Sequence, residues 1–503
     1  MTQVQVTLPR DTNQVRGLAQ YAIDFLAGRF DEPSPAVWRR LAQFHLDSIA
    51  CAVSAIALCT NAPTVLREEA AAYLREGGSD GATCYGSTTL VAPEKAVVAN
   101  SSAAREWDSN GTNFGYNPAA GATAGEFGHN DFYPVALAAA EVGKLDGQTL
   151  CRGMLLIDEI RGRLAEVFSL KDYKIDHVVH GAIASATVYA AMLGGTVDQI
   201  ESAIGMTVAH YIPFRAIRAG HQLSDSKGAS AAITSEAAVL SAQRALRGFV
   251  GPADVFRNPA AIFCLFEKPD ELETSPFDLT LATSGDDFAI MGMHFKLGLY
   301  EHQSAGAIQG LFDLLAAHPS LLEDETALQQ IRIKIYEPAH GIIGDPAKRD
   351  PRTRQSADHS MVYIIATLLR KAFELKRSGW KELMLGPADY GDGSLVHPLT
   401  RSLMDRIDFV HGGPEYDAKY PDGIPTSLEI DHAQLGTLAS DLVMYPAGHA
   451  RNTTADLDDL LQYKFQKLAL LGVDDVEGLR DRFSNLQQRS AAEVASLCHF
   501  TIR

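Results

Sequence analysis

Paired cysteines are missing from this chain of 503 residues. Its six cysteines are far apart, and no two of them form a CxxC pair. This spacing argues against a cysteine-held zinc site or iron–sulfur cluster, and it is typical of reduced thiols in the core of a cytosolic protein. We therefore predict a cytoplasmic protein without disulfide bonds.

Positive charge is also scarce, since the net charge is −18. Nucleic-acid binding needs a basic surface, so no nucleic-acid partner is expected. A local cationic pocket can still bind a small anion. No apolar run approaches the roughly 20 residues of a membrane helix. The first residues, MTQVQVTLPRDTNQ, lack the apolar core of a secretory signal, so no membrane association is expected.

Several catalytic signatures are absent as well. The sequence has no Walker A motif, no GxGxxG after a strand, no HExxH and no nucleophile elbow. Nucleotide binding therefore has no support. The length exceeds that of a usual single core, so two domains are expected.

Helix signals occupy most of the chain. Ser34-Pro35 is typical of a helix start, and Thr196 with Gln199 forms a capping box. The helix over Gln148–Phe168 is predicted to carry an arginine-rich outer face. The other main predicted helices are Val15–Ala27, Pro63–Glu76, Pro93–Ala104, Pro134–Val142, Gly181–Leu193, Met361–Phe373, Leu457–Leu471 and Val476–Phe483.

Strand signals are confined to one region. Isoleucines alternate with Arg332 and Lys334, which predicts a strand with one wet face. Two further strands are predicted at Ser427–His432 and Leu438–Tyr445. The chain therefore reads as a helical region, an inserted α+β region from about 290 to 445, and a helical return.

Polar residues that suit chemistry follow the fourth helix, in the glycine-rich stretch from Arg105 to Leu137. Long structureless loops in compact domains are usually functional or disordered, and this loop has too many aromatics for disorder. We interpret it as an active-site loop with Asp108 and His129 as an acid/base pair. The alternative is ordinary turn chemistry in a loop. The polar residues are Glu106, Asp108, Thr112, Glu126, His129 and Asp131.

Further candidates stand at loop–helix junctions. His177 and His180 both stand just before a small-residue helix. Lys227 precedes a second helix, and His302 precedes a third. A lysine at a helix N-terminus favours an anion such as a carboxylate. The alternatives are a core or capping histidine and a solvated surface lysine. Asp47, in an apolar run, is expected to cap a neighbouring helix.

A cationic cluster lies in the polar loop EPAHGIIGDPAKRDPRTRQSADHS. Ser356 is predicted to cap the helix that follows, with His359 in its first turn. The basic residues of the loop are His340, Lys348, Arg349, Arg352 and Arg354.

Taken together, these stretches resemble the MmgE/PrpD family, which includes 2-methylcitrate dehydratase, cis-aconitate decarboxylase and iminodisuccinate epimerase. The resemblance covers almost the whole chain, and its last two stretches look most like the 2-methylcitrate dehydratase branch. It rests on HLDSIACAVSA, the Asp108–His129 loop, DHVVHGAIASATVYAAMLGG, SKGASAAITSEAAVLSAQRALRGFVGP, GDPAKRDPRTRQSADHSMVYIIATLL and MYPAGHARN.

The resemblance implies a mainly α protein with two domains. A large all-helical domain would comprise residues 1–288 and 446–503, and a smaller α+β lid would comprise residues 289–445. It also implies a homodimer, with an active site between the domains that uses no metal and no cofactor. Carried onto this chain, the family's site falls on Asp108, Thr112, His129, His177, Lys227, His302 and His340.

Two departures from the family pattern lie where the substrate is expected. Gly111 stands where the family usually has a second acidic residue, and the segment between Asp108 and His129 is longer than usual. Asn130 and Asp131 replace a proline and a serine.

Enzymes of this family act on small di- and tricarboxylates. They remove a proton from a carbon next to a carboxylate, or they remove a neighbouring carboxylate. We therefore predict a hydro-lyase that dehydrates 2-methylcitrate or a related hydroxy-tricarboxylate by side-chain acid/base catalysis. The alternatives are a decarboxylase or epimerase on another carboxylate, and a non-enzymatic helical binding protein. The predicted catalytic residues are Asp108, His129, His177, Lys227 and His302. The predicted substrate-binding residues are Thr112, His340, Arg349, Arg352 and His359.

Overall fold

The computed structural model describes residues 4–75, 80–112, 130–218, 222–271, 273–337, 339–343 and 346–503. These residues fold mainly into helices. The helices of the first part of the chain are α1 (Gln14–Leu26), α2 (Pro35–Ala57), α3 (Asn61–Ala71), α4 (Pro93–Arg105), α5 (Tyr133–Gly143), α6 (Gly147–Val167), α7 (Val178–Met192), α8 (Val197–His210), α9 (Asp225–Gly228), α10 (Ser230–Leu246) and α11 (Ile262–Phe266).

The second part of the chain combines helices with strands. Its helices are α12 (Ala305–Ala317), α13 (Ala339–Ile343), α14 (Arg354–Ala357), α15 (Met361–Leu375), α16 (Trp380–Leu383), α17 (Asp392–Leu395), α18 (Pro398–Met404), α19 (Pro414–Asp417), α20 (Leu457–Ala469), α21 (Val476–Phe483) and α22 (Ala491–Val494). The strands of the whole chain are β1 (Gln5–Leu8), β2 (Ala82–Thr83), β3 (Leu90–Val91), β4 (Leu279–Ala282), β5 (Leu328–Ile335), β6 (Ile407–His411), β7 (Thr426–His432) and β8 (Gly436–Ala439).

A four-stranded sheet organises the predicted α+β region, in the order β6-β5-β7-β8. β5 runs parallel to β6 and antiparallel to β7, and β8 is antiparallel to β7. The predicted alternation is confirmed in β5, where the isoleucines are buried and Arg332 pairs with Glu429 and Asp431 of β7. Of the predicted strand Leu438–Tyr445, the continuous ladder ends at Ala439, and Val443 forms an isolated bridge with Thr426 of β7. The Ser440 hydroxyl, in place of the Ser440 carbonyl, accepts the Leu428 N–H at 2.9 Å, which ends the continuous ladder.

Helix α7 lies at the centre of the helical part. All but one of its residues are buried, and α6, α8 and α10 pack around it. Small residues permit this close packing. At Gly181, a Cβ atom would lie 2.1 Å from the ring of Phe132, so a larger residue does not fit.

The arginine-rich outer face predicted for α6 is wrong. Arg161 and Arg163 are 3% and 6% exposed, and they pair with Asp158 and Glu159 at 2.7 and 2.9 Å. Helical spacing places each arginine beside an acid three or four residues earlier. Because these charges are paired, the arginine-bearing face of α6 can be buried, although its composition predicts a solvent-exposed face.

Most predicted helix ends lie within one residue of the observed ones, but α7 begins at Val178 and not at Gly181, so His180 lies inside the helix. Ser34 caps α2, the capping box opens α8, and α21 has the predicted bounds. Helix α3 is an exception: it starts at Asn61 and ends at Ala71, since the chain then turns so that Arg75 can donate to the Leu90 carbonyl. The six cysteines are all free thiols, and five of them are buried, as predicted.

The start of α15 also differs from the prediction. Ser360, not Ser356, accepts the capping N–H, that of Tyr363. A short helix, α14, comes before it and is capped by Thr353. His359 therefore lies in the turn between α14 and α15, outside the first helical turn.

Within the described ranges, no single helix combines the length and the apolar composition of a membrane span. The α2–α3 pair meets those two criteria jointly, with a bend of 84° between its helices.

Candidate active site

Asp108 lies three residues beyond the end of α4, and the candidate site is built around it. Its φ angle is 49°, a left-handed conformation that aspartate tolerates better than most residues. The side chain is buried. Its Oδ2 accepts from Lys227 Nζ at 3.0 Å and its Oδ1 accepts from Lys296 Nζ at 2.7 Å. Arg105 also donates to Oδ1, so three cations surround one carboxylate.

This arrangement decides the charge of Asp108. Burial raises the pKa of Asp108, but the charges of Arg105, Lys227 and Lys296 outweigh it and hold the pKa well below its usual range. A carboxylate so firmly ionised is a poor proton acceptor. The described contacts of Asp108 are thus those of a carboxylate that binds three cations.

In this cluster, His359 has hydrogen-bond partners both as a neutral ring and as a protonated ring. Its Nδ1 faces the carboxylate of Asp358, and its Nε2 lies 2.6 Å from Lys227 Nζ and 2.7 Å from Asp108 Oδ2. A neutral ring can accept from Lys227, and a protonated ring can donate to Asp108. Its side chain is 18% exposed, whereas those of Asp108 and Lys227 are each 5% exposed. His359 therefore connects the buried charges to the more accessible side of the cluster.

Arg354 extends the network from Asp358 to Glu106. Its guanidinium donates to Glu106 Oε1 at 2.6 Å, to the Glu106 carbonyl at 2.7 Å and to Asp358 Oδ2 at 3.0 Å. It also lies 5.3 Å from the ring centroid of Trp107. Burial raises the pKa of Glu106 to about 7, against the opposing charge of Arg354. Glu106 therefore changes its charge near neutral pH.

Three histidines form a second, neutral group beside the cluster. The ring centroid of His294 lies 5.1 Å from that of His302 and 3.9 Å from that of His449. Burial lowers the pKa of His302 to about 3 and that of His449 to about 4. Neither ring nitrogen of His302 has a hydrogen-bond partner among the described residues. His302 is thus a neutral imidazole that can donate to or accept from a ligand.

Thr112 joins the site loop to this histidine group. Its N–H donates to the His294 carbonyl at 2.9 Å, and the His294 N–H donates back at 2.8 Å. Gly111, just before it, explains one departure from the family pattern. A Cβ atom there would lie 2.1 Å from Asn130 Oδ1 and 2.5 Å from the Phe44 ring, so an acidic side chain has no room.

Of the predicted catalytic and binding residues, the structure brings Asp108, Lys227 and His359 into direct contact. His302 and Thr112 lie on the adjoining histidine group. His177 is buried at the start of α7, where its Nδ1 lies 3.6 Å from Asp176 Oδ1. His129 lies outside the described residues, as does Glu126.

The structure corrects the prediction of one cationic cluster at the site, because His340, Arg349 and Arg352 do not contact Asp108. Arg349 donates to the Ile407 carbonyl and pairs with Asp408 at the sheet edge. The Arg352 side chain is 76% exposed and pairs with Asp350. His340 lies 3.1 Å from Glu337. Each group is held by an acid near it in sequence or on the sheet, away from the site.

Sequence reasoning missed three members of the cluster, Arg105, Lys296 and Asp358, and it named Arg354 only as one of the basic residues of the cationic loop. Lys296 carried a usable signal, since it stands between Phe295 and Leu297 in an apolar stretch, and a buried lysine needs a partner. Asp358 adjoins His359, which is a frequent way to orient an imidazole. Asp47 was expected to cap a helix, but it pairs with Lys464 at 2.7 Å.

Asp108, Asp358 and His359 bring three potential metal-ligand atoms within 4.8 Å of one another. Lys227, Lys296 and Arg105 already neutralise Asp108, so a divalent cation there would face three positive charges. This donor set suits an anionic ligand better than a metal ion.

Comparison with known proteins agrees with the resemblance seen in the sequence. The MmgE/PrpD N-terminal domain matches residues 16–275, and the MmgE/PrpD C-terminal domain matches residues 300–488. The 2-methylcitrate dehydratase of Salmonella typhimurium strain LT2 is 23% identical over 329 residues, which is 64% of each chain. That of Escherichia coli strain K12 is 23% identical over 303 residues, or 59% of each chain. The match thus spans less than two thirds of these relatives. Because the two family domains together match well over half of its residues, this chain belongs to the MmgE/PrpD family.

Proposed function

We propose that this protein is a hydro-lyase that dehydrates 2-methylcitrate or a related hydroxy-tricarboxylate. One observation carries the proposal: an imidazole–carboxylate pair, His359 with Asp358, contacts a buried lysine and its carboxylate, Lys227 with Asp108. Family membership and relatives named 2-methylcitrate dehydratase support a dehydratase.

The reaction places negative charge next to a substrate carboxylate when the neighbouring proton leaves. Positive groups that are already in position stabilise such charge without reorganisation. Lys227 and Arg354 supply them here, and both are largely shielded from solvent. We assign them to substrate carboxylates, in place of Arg349 and Arg352.

His359 is proposed to move the proton. In the resting state, Nδ1–H donates to Asp358 and Nε2 accepts from Lys227. The substrate proton goes to Nε2, which then donates to Asp108. We propose His129, the other member of the predicted acid/base pair, as the acid that protonates the leaving hydroxyl, and His302 as a neutral hydrogen-bonding group on the substrate.

The proposal also keeps the lid at residues 289–445 and the homodimer that the family resemblance implies. In that arrangement, Asp108 and Lys227 belong to the helical domain, while Lys296, Asp358 and His359 belong to the lid. Light scattering of the purified protein would measure the oligomeric state, and a monomer at assay concentration would contradict the dimer.

The test of the function is direct. Purified protein is mixed with 2-methylcitrate, citrate and cis-aconitate, and both ultraviolet absorbance and carbon dioxide release are followed. We expect absorbance from a new double bond with 2-methylcitrate and no carbon dioxide. Carbon dioxide release from cis-aconitate would favour the decarboxylase alternative, and no reaction with any of the three would contradict the proposal.

Replacing His359 with glutamine tests the proton-transfer role. Loss of a general base costs about 10²-fold or more in kcat. His411→Gln is a matched control, because His411 also pairs with an acid, Asp417 at 3.0 Å, but lies on the exposed end of β6. Equal turnover in the His359→Gln and His411→Gln variants would rule out the role.

Glu106 is expected to make substrate binding depend on pH. Below pH 7 its carboxyl group is protonated, so Arg354 faces one ionised carboxylate, that of Asp358, and can also bind a substrate carboxylate. Above pH 7 Glu106 is ionised too, and two carboxylates compete with the substrate for Arg354. We expect KM to rise roughly tenfold between pH 6 and pH 8, since a charge-assisted hydrogen bond contributes about 1.5 kcal/mol.

The Glu106→Gln variant should lose this dependence and keep a low KM at pH 8. Glu141→Gln is the control, since burial also raises the pKa of Glu141 to about 7, but Glu141 binds Thr83 in another part of the fold. A KM profile for Glu106→Gln that matches those of wild type and Glu141→Gln would refute the assignment.

A further inference from the structure

We propose that Lys464 is a positioning residue that fixes the geometry of the site by holding the backbone on either side of the Asp108–Lys296 contact. The proposal deepens the proposed function and rests on it for its catalytic consequence. Its structural consequence is separate and can be measured without a substrate.

All three donors of the Lys464 ammonium are used inside the protein. It lies 2.7 Å from Asp47 Oδ1, and it donates to the Ser109 carbonyl at 2.6 Å and to the Lys296 carbonyl at 2.8 Å. The side chain is 1% exposed. A lysine has three N–H donors, so none remains for a substrate.

The two carbonyls that Lys464 holds belong to the segments that meet at Asp108. Lys296 Nζ donates to both the carbonyl and Oδ1 of Asp108, each at 2.7 Å. Ser109 Oγ donates to the Gly298 carbonyl at 2.6 Å. Lys464 therefore clamps residues 108–109 against residues 296–298.

This clamp joins distant parts of the chain. Asp47 lies in α2, near the start, and Lys464 lies in α20, near the end. Ser109 and Lys464 are 355 residues apart. The left-handed backbone at Asp108 is thus supported by a contact that no local sequence signal contains.

A contribution to stability does not by itself explain the buried Asp47–Lys464 ion pair. The Asp47 side chain is 4% exposed and its Oδ2 has no hydrogen-bond partner among the described residues, so the carboxylate is poorly solvated and burial raises its pKa despite the opposing charge of Lys464. Replacing a buried ion pair by apolar or neutral groups is often neutral or stabilising. A buried pair that holds two site carbonyls is better explained by the geometry it imposes.

The experiment compares Lys464→Met, Lys464→Arg and the double variant Asp47→Asn/Lys464→Met. The single Met variant leaves Asp47 buried without a partner, so it is expected to lose stability. The double variant removes both charges, and we expect its melting temperature to return toward that of wild type. Its kcat should stay reduced by about 10-fold or more with KM nearly unchanged, because the reacting groups are displaced.

Lys371→Met is the matched control, since Lys371 also binds a carboxylate and a carbonyl, those of Asp389 and Met384. It should keep wild-type kcat. A double variant with wild-type kcat would overturn the proposal, and so would a kcat equally reduced in Lys371→Met.

Hydrogen exchange separates this proposal from the proposed function. In the double variant we expect faster amide exchange in residues 105–112 and 293–299, with no change in α7 or α10. That result supports the clamp even if none of the tricarboxylates is turned over. Unchanged exchange at residues 105–112 would refute the clamp even if the protein is a dehydratase.

Discussion

Methionine in place of Lys227 is expected to lower kcat/KM by at least about 10⁴-fold. Lys227 contacts both Asp108 and His359, so the change removes two things together. It removes a cation from the developing charge, and it removes the donor that orients His359 Nε2. Steady-state kinetics on the substrate identified for the wild type would measure the loss.

Lys95→Met provides the comparison for Lys227→Met. Lys95 is also largely buried and also pairs with acids, Glu69 at 2.5 Å and Glu236 at 2.6 Å, but it lies at the start of α4, whereas Asp108 lies beyond the end of that helix. That variant should lose some stability and keep its turnover. If the two lysine variants lose activity equally, Lys227 acts only through folding.

Asparagine in place of Asp108 is expected to lower both stability and activity. Lys227 and Lys296 would then lose their shared carboxylate, and Arg105 would keep only that of Asp131, at 3.6 Å. Removing one partner of a buried ion pair costs about 3–5 kcal/mol. Denaturant unfolding would measure the loss, with Asp389→Asn as a control, because Asp389 pairs with Lys371 in a more exposed position.

A second substitution separates the effect of Asp108 on stability, through the balance of buried charges, from its effect on activity. Adding Lys296→Met to Asp108→Asn removes one uncompensated cation and should restore roughly half of the lost stability. Activity should not return, since Lys227 and His359 still lack their common acceptor. A single Asp108→Asn variant with wild-type stability and turnover would contradict the account of the site given above.

Local signals explain which parts of the fold were predictable. Ser34-Pro35, the Thr196 capping box and the bounds of α21 depend on residues within one helical turn. The isoleucine alternation in β5 is equally local. These features follow from the sequence because the interactions that produce them are short in sequence.

The errors have the opposite origin. Arg161 and Arg163 are buried because α6 is surrounded by other helices, which its own sequence does not reveal. Arg352 was expected at the site on charge alone, but Asp350, two residues away, binds it at 2.8 Å. Charge composition indicates that an anion can bind, and the folded neighbours decide which cations remain available.

The site itself was half predictable. Asp108, Lys227 and His359 were named from residue type and family resemblance. Lys296 was not named, and Arg354 was named only as a basic residue of the cationic loop, because their importance comes from contacts 188 and 248 residues away in sequence. Long-range ion pairs of this kind are the part of a site that a single sequence conceals.

The position of Lys464 has a consequence for protein synthesis. The chain emerges from the ribosome from its N-terminus, and Asp108, Lys227, Lys296 and His359 all precede Lys464. Their support from α20 is added only after Leu457–Ala469 has been made. A nascent chain that stops before α20 would hold every reacting group and still lack the contact that sets their spacing.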